Sequence, residues 1–329
     1  MTLTDLLPMC ALSLAVGAAG AFGILRRGGS AGLMDTPNGR SLHTVPTPKG
    51  GGIGILLAFI GTCLWLSLSW VFWVPAALCA VAGFLGDLSD LSPRLRLGLQ
   101  FLAAGLFVWG VARWEQAALP LVPAALWCVF MVGTANFYNF MDGIDGIAGI
   151  TAAVGFGLVA LFATVEGRGG AAVPVCLSVI SAAIGFLPFN LPKARVFMGD
   201  VGSVLLGFLF ACLVFRLSRD VCDFLVLVAF LFPFYADELV TMAIRIRDGE
   251  SLLAAHRRHL YQILAYEYGY AHWRVATAFG ALQLLVGCAA LYLGRALGAL
   301  WVFGFVAAAF MAFAAVSFSC RRRLVEAGA

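Results

Sequence analysis

Apolar runs of about 15 to 23 residues recur along the whole chain and alternate with short polar segments. A run of roughly 20 apolar residues is long enough to cross the hydrocarbon core of a bilayer as a helix. The pattern therefore predicts an all-α polytopic membrane protein with eleven transmembrane helices, or ten if the division near Trp70 and Trp73 is removed. The predicted spans are residues 3–25, 51–70, 72–86, 97–112, 119–140, 146–165, 171–190, 202–216, 222–240, 273–293 and 297–319.

The composition agrees with this pattern from end to end. Of the 329 residues, 62% are hydrophobic and 12% are charged, which lies far from the balance of a soluble globular protein. No shift in composition marks a separate soluble unit, so we expect one integral-membrane domain over residues 1–329. The nine cysteines form no CxxC pair, and neither a zinc site nor a disulfide framework is indicated.

The basic residues sort to one side of the predicted membrane topology. Eleven spans place the two termini on opposite sides, and sixteen of the 21 Lys and Arg residues then fall on the side of the C-terminus. Cytoplasmic loops carry an excess of Lys and Arg. The N-terminus is therefore predicted to be periplasmic and the C-terminus cytoplasmic.

The unusual polar residues all fall on the predicted cytoplasmic side, which indicates an active surface on that side. They lie in five segments, which read DTPNGRSLHTVPTPKGGG (35–52), GFLGDLSDLSPRLRL (83–97), NFYNFMDGIDGIAG (136–149), FNLPKARVFMGDVGS (189–203) and YADELVTMAIRIRDGESLLAAHRRHLYQ (235–262).

Carboxylates dominate these segments. Asn136, Asn139 and Asp142 step by three and share one helical face, and Asp145 follows. Ionisable groups at membrane depth are costly unless they are paired. Taken alone, this segment also fits a helix cap at Asp145 and a structural salt bridge at Asp142. Several carboxylates converging at one membrane face instead favour Mg²⁺ held partly by substrate phosphates. The further carboxylates on the same side belong to Asp87, Asp90 and Asp200.

Glycines and histidines on the same predicted side complete the candidate site. The triplet Gly50 to Gly52 and the pair Gly199 and Gly202 allow the close backbone approach that phosphate-cradling loops need. His256 and His259 suit contact with a phosphate or proton transfer. Two histidines in a basic loop are equally typical of a solvated surface.

The five segments together resemble the bacterial polyprenyl-phosphate N-acetylhexosamine-1-phosphate transferases. The likeness runs in order from about residue 33 to 262, through LMDTPNGRSLHTVPTPKGGGIGI, GFLGDLSDLSPRLRL, NFYNFMDGIDGIAG, FNLPKARVFMGDVGSVLLGF and HRRHLYQ. The last block is most similar to the branch that initiates O-antigen or related polysaccharides. It departs from the histidine-rich block of the peptidoglycan branch, which argues against a MurNAc-pentapeptide donor.

The resemblance implies a reaction and a location. N-acetylhexosamine 1-phosphate passes from a UDP-N-acetylhexosamine, such as UDP-GlcNAc, UDP-FucNAc or UDP-QuiNAc, to undecaprenyl phosphate, and UMP is released. The expected cofactor is Mg²⁺, with Mn²⁺ as the alternative. The expected place is the bacterial inner membrane with the site facing the cytoplasm. No nucleic-acid partner is implied, and the resembled family suggests a homodimer.

The resemblance also assigns roles to residues. Asp200 and Asp87 are expected to hold the metal, and Phe197 matches an aromatic that stacks on uracil. Asp237 matches an aspartate that precedes the histidine block. The expected catalytic residues are Asp87, Asp90, Asp142, Asp200, His256 and His259. The expected nucleotide-binding residues are Asn139, Asp145, Asn190 and Phe197, and the expected phosphate-binding residues are His43, Lys49 and Arg257.

One position departs from the resembled pattern, because Gly86 precedes Asp87 where the family has two adjacent aspartates. This departure motivates an alternative, a catalytically impaired scaffold of a glycan assembly complex, for which Gly86→Asp would be a rescue. For an active enzyme we favour direct attack of the lipid phosphate over a two-step route through an aspartyl intermediate at Asp87. A membrane transporter is the remaining alternative, but its carboxylates are expected near midspan on repeated, broken helices.

Overall fold

The computed structural model describes residues 3–37, 45–89, 91–114, 116, 119–251 and 256–326. These residues are almost entirely helical, with one small antiparallel sheet formed by β1 (Met34–Asp35) and β2 (Thr47–Pro48). The α-helices are α1 (Leu3–Arg27), α2 (Ile53–Trp65), α3 (Trp70–Leu88), α4 (Pro93–Trp114), α5 (Leu121–Phe140), α6 (Ile147–Val165), α7 (Ala172–Asn190), α8 (Asp200–Leu217), α9 (Val221–Ala229), α10 (Phe232–Arg247), α11 (Leu260–Gln262), α12 (His272–Leu297) and α13 (Ala299–Glu326). A π-helical turn, Ile263–Glu267, follows α11.

The all-α polytopic class is confirmed. Among the residues described above, nine helices are long and apolar enough to cross a membrane. Helices α9 and α10 are bent by 84° relative to each other and form either a broken tenth span or a re-entrant loop. The second predicted span corresponds to α2, which has 13 residues and is shorter than a bilayer-crossing helix. The count of eleven and the orientation in the membrane stay predictions.

The bend between α9 and α10 has an identifiable cause. Pro233 lies at the start of α10 and has no backbone N–H to continue the hydrogen bonds of α9. The side chain of Gln283, buried in α12, donates to the carbonyl oxygens of Phe230 at 2.7 Å and Thr151 at 3.2 Å. A carbonyl freed inside an apolar bundle needs such a donor, and Gln283 therefore stabilises the break.

Helix α8 lies at the centre of the bundle. Nearly all of its side chains are buried, and it packs against α3 and α5. Two glycines permit the close contact. A Cβ atom at Gly83 of α3 would lie 2.6 Å from the carbonyl oxygen of Asp200, and one at Gly207 of α8 would lie 2.7 Å from that of Thr134. This packing brings the N-terminus of α8, with Asp200, to the middle of one end of the bundle.

A second set of close contacts joins α1, α2 and α7 away from that end. The hydroxyl groups of Ser13, Ser178 and Thr62 form a buried chain with oxygen separations of 2.9 Å and 2.7 Å. Helices α1 and α2 approach closely at Gly20 and Gly54, since small residues let helix backbones meet where the surroundings are as apolar as the side chains.

The contact between α1 and α2 predicts that Gly54→Ala destabilises the protein. A Cβ atom at Gly54 would lie 2.7 Å from the carbonyl oxygen of Val16, so the two backbones must separate. Overpacking of this kind costs about 1–3 kcal/mol. We expect a lower melting temperature in detergent. It is measured by size-exclusion chromatography of samples heated to a series of temperatures.

The matched control lies in the same helix. A Cβ atom at Gly61 would have no neighbour within 4 Å. We expect Gly61→Ala to leave the melting temperature unchanged or to raise it slightly, because alanine is the better helix former. Equal melting temperatures for the two variants would contradict the close packing of α1 on α2.

Candidate active site at the carboxylate-bearing end of the bundle

Asp200 is the first residue of α8, where a carboxylate interacts favourably with the helix dipole. Its Oδ2 accepts a hydrogen bond from Arg96 Nη1 at 2.6 Å, and its Oδ1 accepts one from Asn139 Nδ2 at 2.9 Å. Asn139 also lies 2.8 Å from Ser203 Oγ, one turn into α8. The ends of α4 and α5 thus meet the start of α8 at one carboxylate.

Asp87 lies beside Asp200, in the last turn of α3, and is buried. Its Oδ1 is 3.6 Å from Lys49 Nζ, and its Oδ2 is 3.4 Å from the backbone nitrogen of Val201. The carboxylate therefore faces both a cation and the N-terminus of α8. The predicted metal ligands Asp87 and Asp200 are brought together, and the predicted phosphate-binding residue Lys49 is with them.

Asp142 lies in the turn between α5 and α6. Burial raises the pKa of its carboxyl well above the usual range, and the negative charges of Asp200, Asp87 and Asp145 raise it further. Like charges close to a buried carboxyl disfavour its ionised form. Four carboxylates therefore converge at this end of the bundle, and they repel one another.

Asp145, in the same turn, has a partner that the sequence analysis did not identify. Its Oδ2 lies 3.0 Å from Nδ1 of His272, the first residue of α12. The other unpredicted residue of the site is Arg96. The one signal for either residue was its place on the same predicted side of the membrane as the acidic segments.

Asn190 and Phe197 are bound to neighbouring backbone. Asn190 is buried; its Oδ1 accepts from Gly146 N at 2.6 Å, and its Nδ2 donates to Val196 O at 2.9 Å. Phe197 donates its N–H to Pro48 O at 2.8 Å, and the residue is half-buried. Asn190 thus positions the Asp145 turn.

The glycines of the two loops serve their mutual packing. The N–H groups of Gly51 and Gly52 donate to the carbonyl oxygens of Phe197 and Met198 at 2.9 Å and 2.8 Å. A Cβ atom at Gly52 would lie 2.4 Å from the Cα atom of Gly202. The expected phosphate cradle is therefore not what these N–H groups form, because they already bind the protein's own backbone.

The histidine block is anchored to α10. His259 is buried, with Nδ1 3.8 Å from Asp237 Oδ1 and Nε2 3.5 Å from Glu238 Oε2. Asp237 also accepts from the backbone nitrogens of Leu260 and Tyr261 at 2.7 Å and 3.1 Å. Asp237 therefore holds the start of α11 in place.

Tyr261 links this block to the carboxylates, since its hydroxyl donates to the carbonyl oxygen of Phe140 at 3.0 Å, beside the Asp142 turn. His256 is half-buried, with its ring centroid 4.9 Å from that of His259. Burial, followed by the charges of nearby residues such as Arg245 and Arg258, lowers the pKa of His256 to about 4. His256 is therefore uncharged at neutral pH.

Three other predicted residues have less structural context. Arg257 is exposed next to His256, and Tyr266 is close enough to feel its charge. Both His43 and Asp90 lie outside the described residues.

The residues of the site suit a cation that is shared with a ligand. Within the described ranges, no three His, Cys, Asp or Glu side chains lie close enough to hold a metal ion by themselves. The oxygen donors of Asp87 and Asp200 are nevertheless of the kind that Mg²⁺ prefers, and Mg²⁺ commonly binds through one or two carboxylates plus substrate phosphates. Burial is the main cause of the raised pKa of Asp142, and the repulsion from the neighbouring carboxylates that adds to it would be relieved by such a cation.

Comparison with known proteins places the chain in a family. The model of glycosyl transferase family 4 matches residues 69–218. The phospho-N-acetylmuramoyl-pentapeptide-transferase of Geobacillus kaustophilus is 30% identical over 276 residues, which cover 75% of this chain and 83% of the relative. The chain belongs to glycosyl transferase family 4. A second relative, the decaprenyl-phosphate N-acetylglucosaminephosphotransferase of Mycobacterium tuberculosis, is 28% identical over 298 residues, covering 74% of this chain and 71% of the relative.

The segment matched in this family 4 protein contains most of the site. It includes Asp87, Arg96, Asn139, Asp142, Asp145 and Asp200, whereas Lys49 and the histidine block lie outside it. The resemblance seen in the sequence is confirmed at the level of the family. The O-antigen branch stays a prediction, and the relatives include enzymes named for a MurNAc-pentapeptide.

The burial of Asp142, together with the carboxylates that converge around it, predicts that Asp142→Asn stabilises the ligand-free protein at neutral pH. A folded-state pKa above the unfolded value of about 3.9 means that the native state binds a proton more tightly than the unfolded state. Stability is then lost as the pH rises above the unfolded pKa. The amide cannot ionise and escapes this loss.

The measurement is the melting temperature of both proteins in detergent between pH 4 and pH 8. We expect the two values to converge near pH 4 and the variant to melt higher by several degrees at pH 7 to 8. A variant that is less stable at every pH would show that Asp142 is held by favourable contacts instead.

Proposed function

We propose that this protein transfers N-acetylhexosamine 1-phosphate from a UDP-N-acetylhexosamine to undecaprenyl phosphate, releases UMP, and so initiates a lipid-linked O-antigen or related surface polysaccharide. UDP-GlcNAc, UDP-FucNAc and UDP-QuiNAc are the donors to test. The proposed location is the bacterial inner membrane, with the carboxylate-bearing end facing the cytoplasm. The relatives support the general class, since their names pair a polyprenyl-phosphate or cell-wall precursor with a phosphosugar transfer.

The observation that carries the proposal is the pairing of carboxylates with cations at the start of α8. Lys49 forms an ion pair with Asp87, and Arg96 forms one with Asp200. A site that binds phosphates and a divalent cation needs both signs of charge within a few ångströms, because phosphoryl transfer depends on positioning and on neutralising the transferred group. Helix ends supply further N–H dipoles at the same place.

The proposed step is a direct displacement. A phosphate monoester has its second pKa near 6 and is largely a dianion at neutral pH, so the lipid phosphate needs no strong base. One of its oxygens attacks the β-phosphorus of the donor and forms a new P–O bond. The bond from the β-phosphorus to the bridging oxygen breaks, and its electron pair leaves with UMP.

The chain's own residues neutralise and orient the reactants in this scheme. Lys49 and Arg96 offset phosphate charge, and Asn139 holds Asp200 in a fixed orientation through the 2.9 Å hydrogen bond. Asp87 and Asp200 would hold Mg²⁺, or Mn²⁺ as the alternative. That cation would supply charge neutralisation at the diphosphate.

The nucleotide and the histidine block have proposed roles as well. Phe197 is proposed to stack on uracil, near Asp145 and Asn139. His256 is proposed to contact the diphosphate as a neutral hydrogen-bonding group. The burial of His259 between two carboxylates supports a positioning role for its ring beneath His256.

The decisive test is UMP release by the purified protein in detergent. Each donor is assayed with and without undecaprenyl phosphate, in Mg²⁺ and in EDTA. We expect release from one donor that needs both the lipid and the metal. The proposal would be overturned if no donor gave UMP release, or if UMP release did not depend on the lipid.

Among variants, Asp200→Asn is expected to lower the rate of UMP release on the order of 10²- to 10³-fold, the range seen when one preorganised electrostatic group is removed. The control is Arg295→Gln, which breaks an exposed pair with Glu166 at the opposite end of the bundle. It should leave the rate unchanged. In the native cell, surface polysaccharide that is unchanged by Asp200→Asn would favour the scaffold alternative.

A two-step route predicts a covalent intermediate that the direct displacement lacks. An aspartyl intermediate at Asp87 would hold a phosphosugar covalently on the protein when donor is present without lipid, and intact-protein mass spectrometry would detect the added mass. We expect no such adduct, because Lys49 and the N-terminus of α8 already engage both oxygens of Asp87.

A further inference from the structure

Arg96 lies directly over Gly86. A Cβ atom at position 86 would be 2.9 Å from both Cζ and Nε of Arg96, a distance at which one of the two groups must move. The guanidinium in turn reaches Asp200 at 2.6 Å. The absence of a side chain at residue 86 is therefore what admits the guanidinium to this position, and the two residues form a coupled pair.

Arg96 has donors left over after it binds Asp200. Nη2 makes a long contact of 3.5 Å with the carbonyl oxygen of Gly86, near the limit for a hydrogen bond. Nε is buried and has no hydrogen-bond partner among the residues that the structure describes. The side chain of Arg96 is 35% exposed and that of Asp200 is 25% exposed, so the ion pair is open on one side to the space outside it.

A purely structural role accounts for part of this arrangement, since Arg96 joins the start of α4 to the start of α8. It does not account for the unused donors. An unpaired buried donor is unfavourable, because it has lost its hydrogen bonds to water and gained none in return. Guanidinium groups bind phosphate through two parallel N–H donors and remain charged at all relevant pH values.

We propose that Arg96 binds a phosphate group of a substrate with the donors that Asp200 does not use, and that Gly86 is required to place it there. The phosphate belongs either to the nucleotide sugar or to the lipid. This inference rests on the proposed function for the identity of its ligand. It also implies that Gly86→Asp alone does not improve the site, because the new side chain displaces the guanidinium from Asp200.

The experiment compares four variants, Arg96→Ala, Arg96→Lys, Gly86→Ala and the double variant Gly86→Ala/Arg96→Ala. Binding is measured by isothermal titration calorimetry in detergent with two probes, UDP for the nucleotide side and farnesyl phosphate for the lipid side. Gly86→Ala should fold, because the added methyl group meets the flexible end of an arginine. The control is Gly98→Ala in α4, the helix that carries Arg96, where a Cβ atom has no neighbour within 4 Å.

For Arg96→Ala we expect binding of one probe to weaken roughly ten- to hundredfold, as loss of a charge-assisted hydrogen bond implies. The probe affected identifies the source of the phosphate. Arg96→Lys should recover part of the affinity, since lysine restores the charge but not the two-pronged geometry. Gly86→Ala should weaken the same probe and have no further effect in the double variant, because its effect passes through Arg96.

Two results would overturn the inference. Affinities of Arg96→Ala for both probes within about twofold of the wild type, with a lowered melting temperature, would make Arg96 a structural clamp alone. Additive effects of Gly86→Ala and Arg96→Ala would break the coupling. Failure of the proposed function is separate, since it appears as wild-type protein that releases no UMP with any donor while the probes still bind.

Discussion

The cost of placing carboxylates at the end of a membrane-embedded bundle governs the rest of the site. Asp87, Asp142, Asp145 and Asp200 converge where α3, α5 and α8 meet, and burial, followed by the charges of the other three, raises the pKa of Asp142. Ionisable groups in such surroundings persist when partners offset them. The partners that the chain supplies are Lys49, Arg96, His272 and the N-terminus of α8, and the proposed substrates and cation supply the remainder.

The bundle is built to hold those carboxylates at fixed positions. Helix α8 is buried along nearly its whole length, and glycines at the contacts with α3 and with the loop before α2 let backbones touch. A rigid, close-packed frame of this kind holds functional groups within a small tolerance, which positioning-based catalysis requires. The same glycines therefore belong to the frame and leave phosphate binding to charged side chains.

The histidine block illustrates how a loop becomes part of the site. Asp237, on α10, accepts two backbone N–H groups at the start of α11, and Tyr261 then reaches the turn that carries Asp142. The bend between α9 and α10 redirects α10, and Gln283 satisfies the carbonyl that the break exposes. A polar side chain in α12 thus contributes to the site without touching it.

The sequence by itself determined the class of protein, the positions of most of the long helices, the segments of the candidate site and the family. These properties follow from the lengths of apolar runs and from residues that are close together in the chain. Only the tertiary structure decided which groups pair. Arg96 and Asp200 are 104 residues apart, and Asp145 and His272 are 127 apart, so no local pattern reports their contact. The role of Gly86 was likewise hidden, because the space above a glycine is defined by a side chain from the next helix.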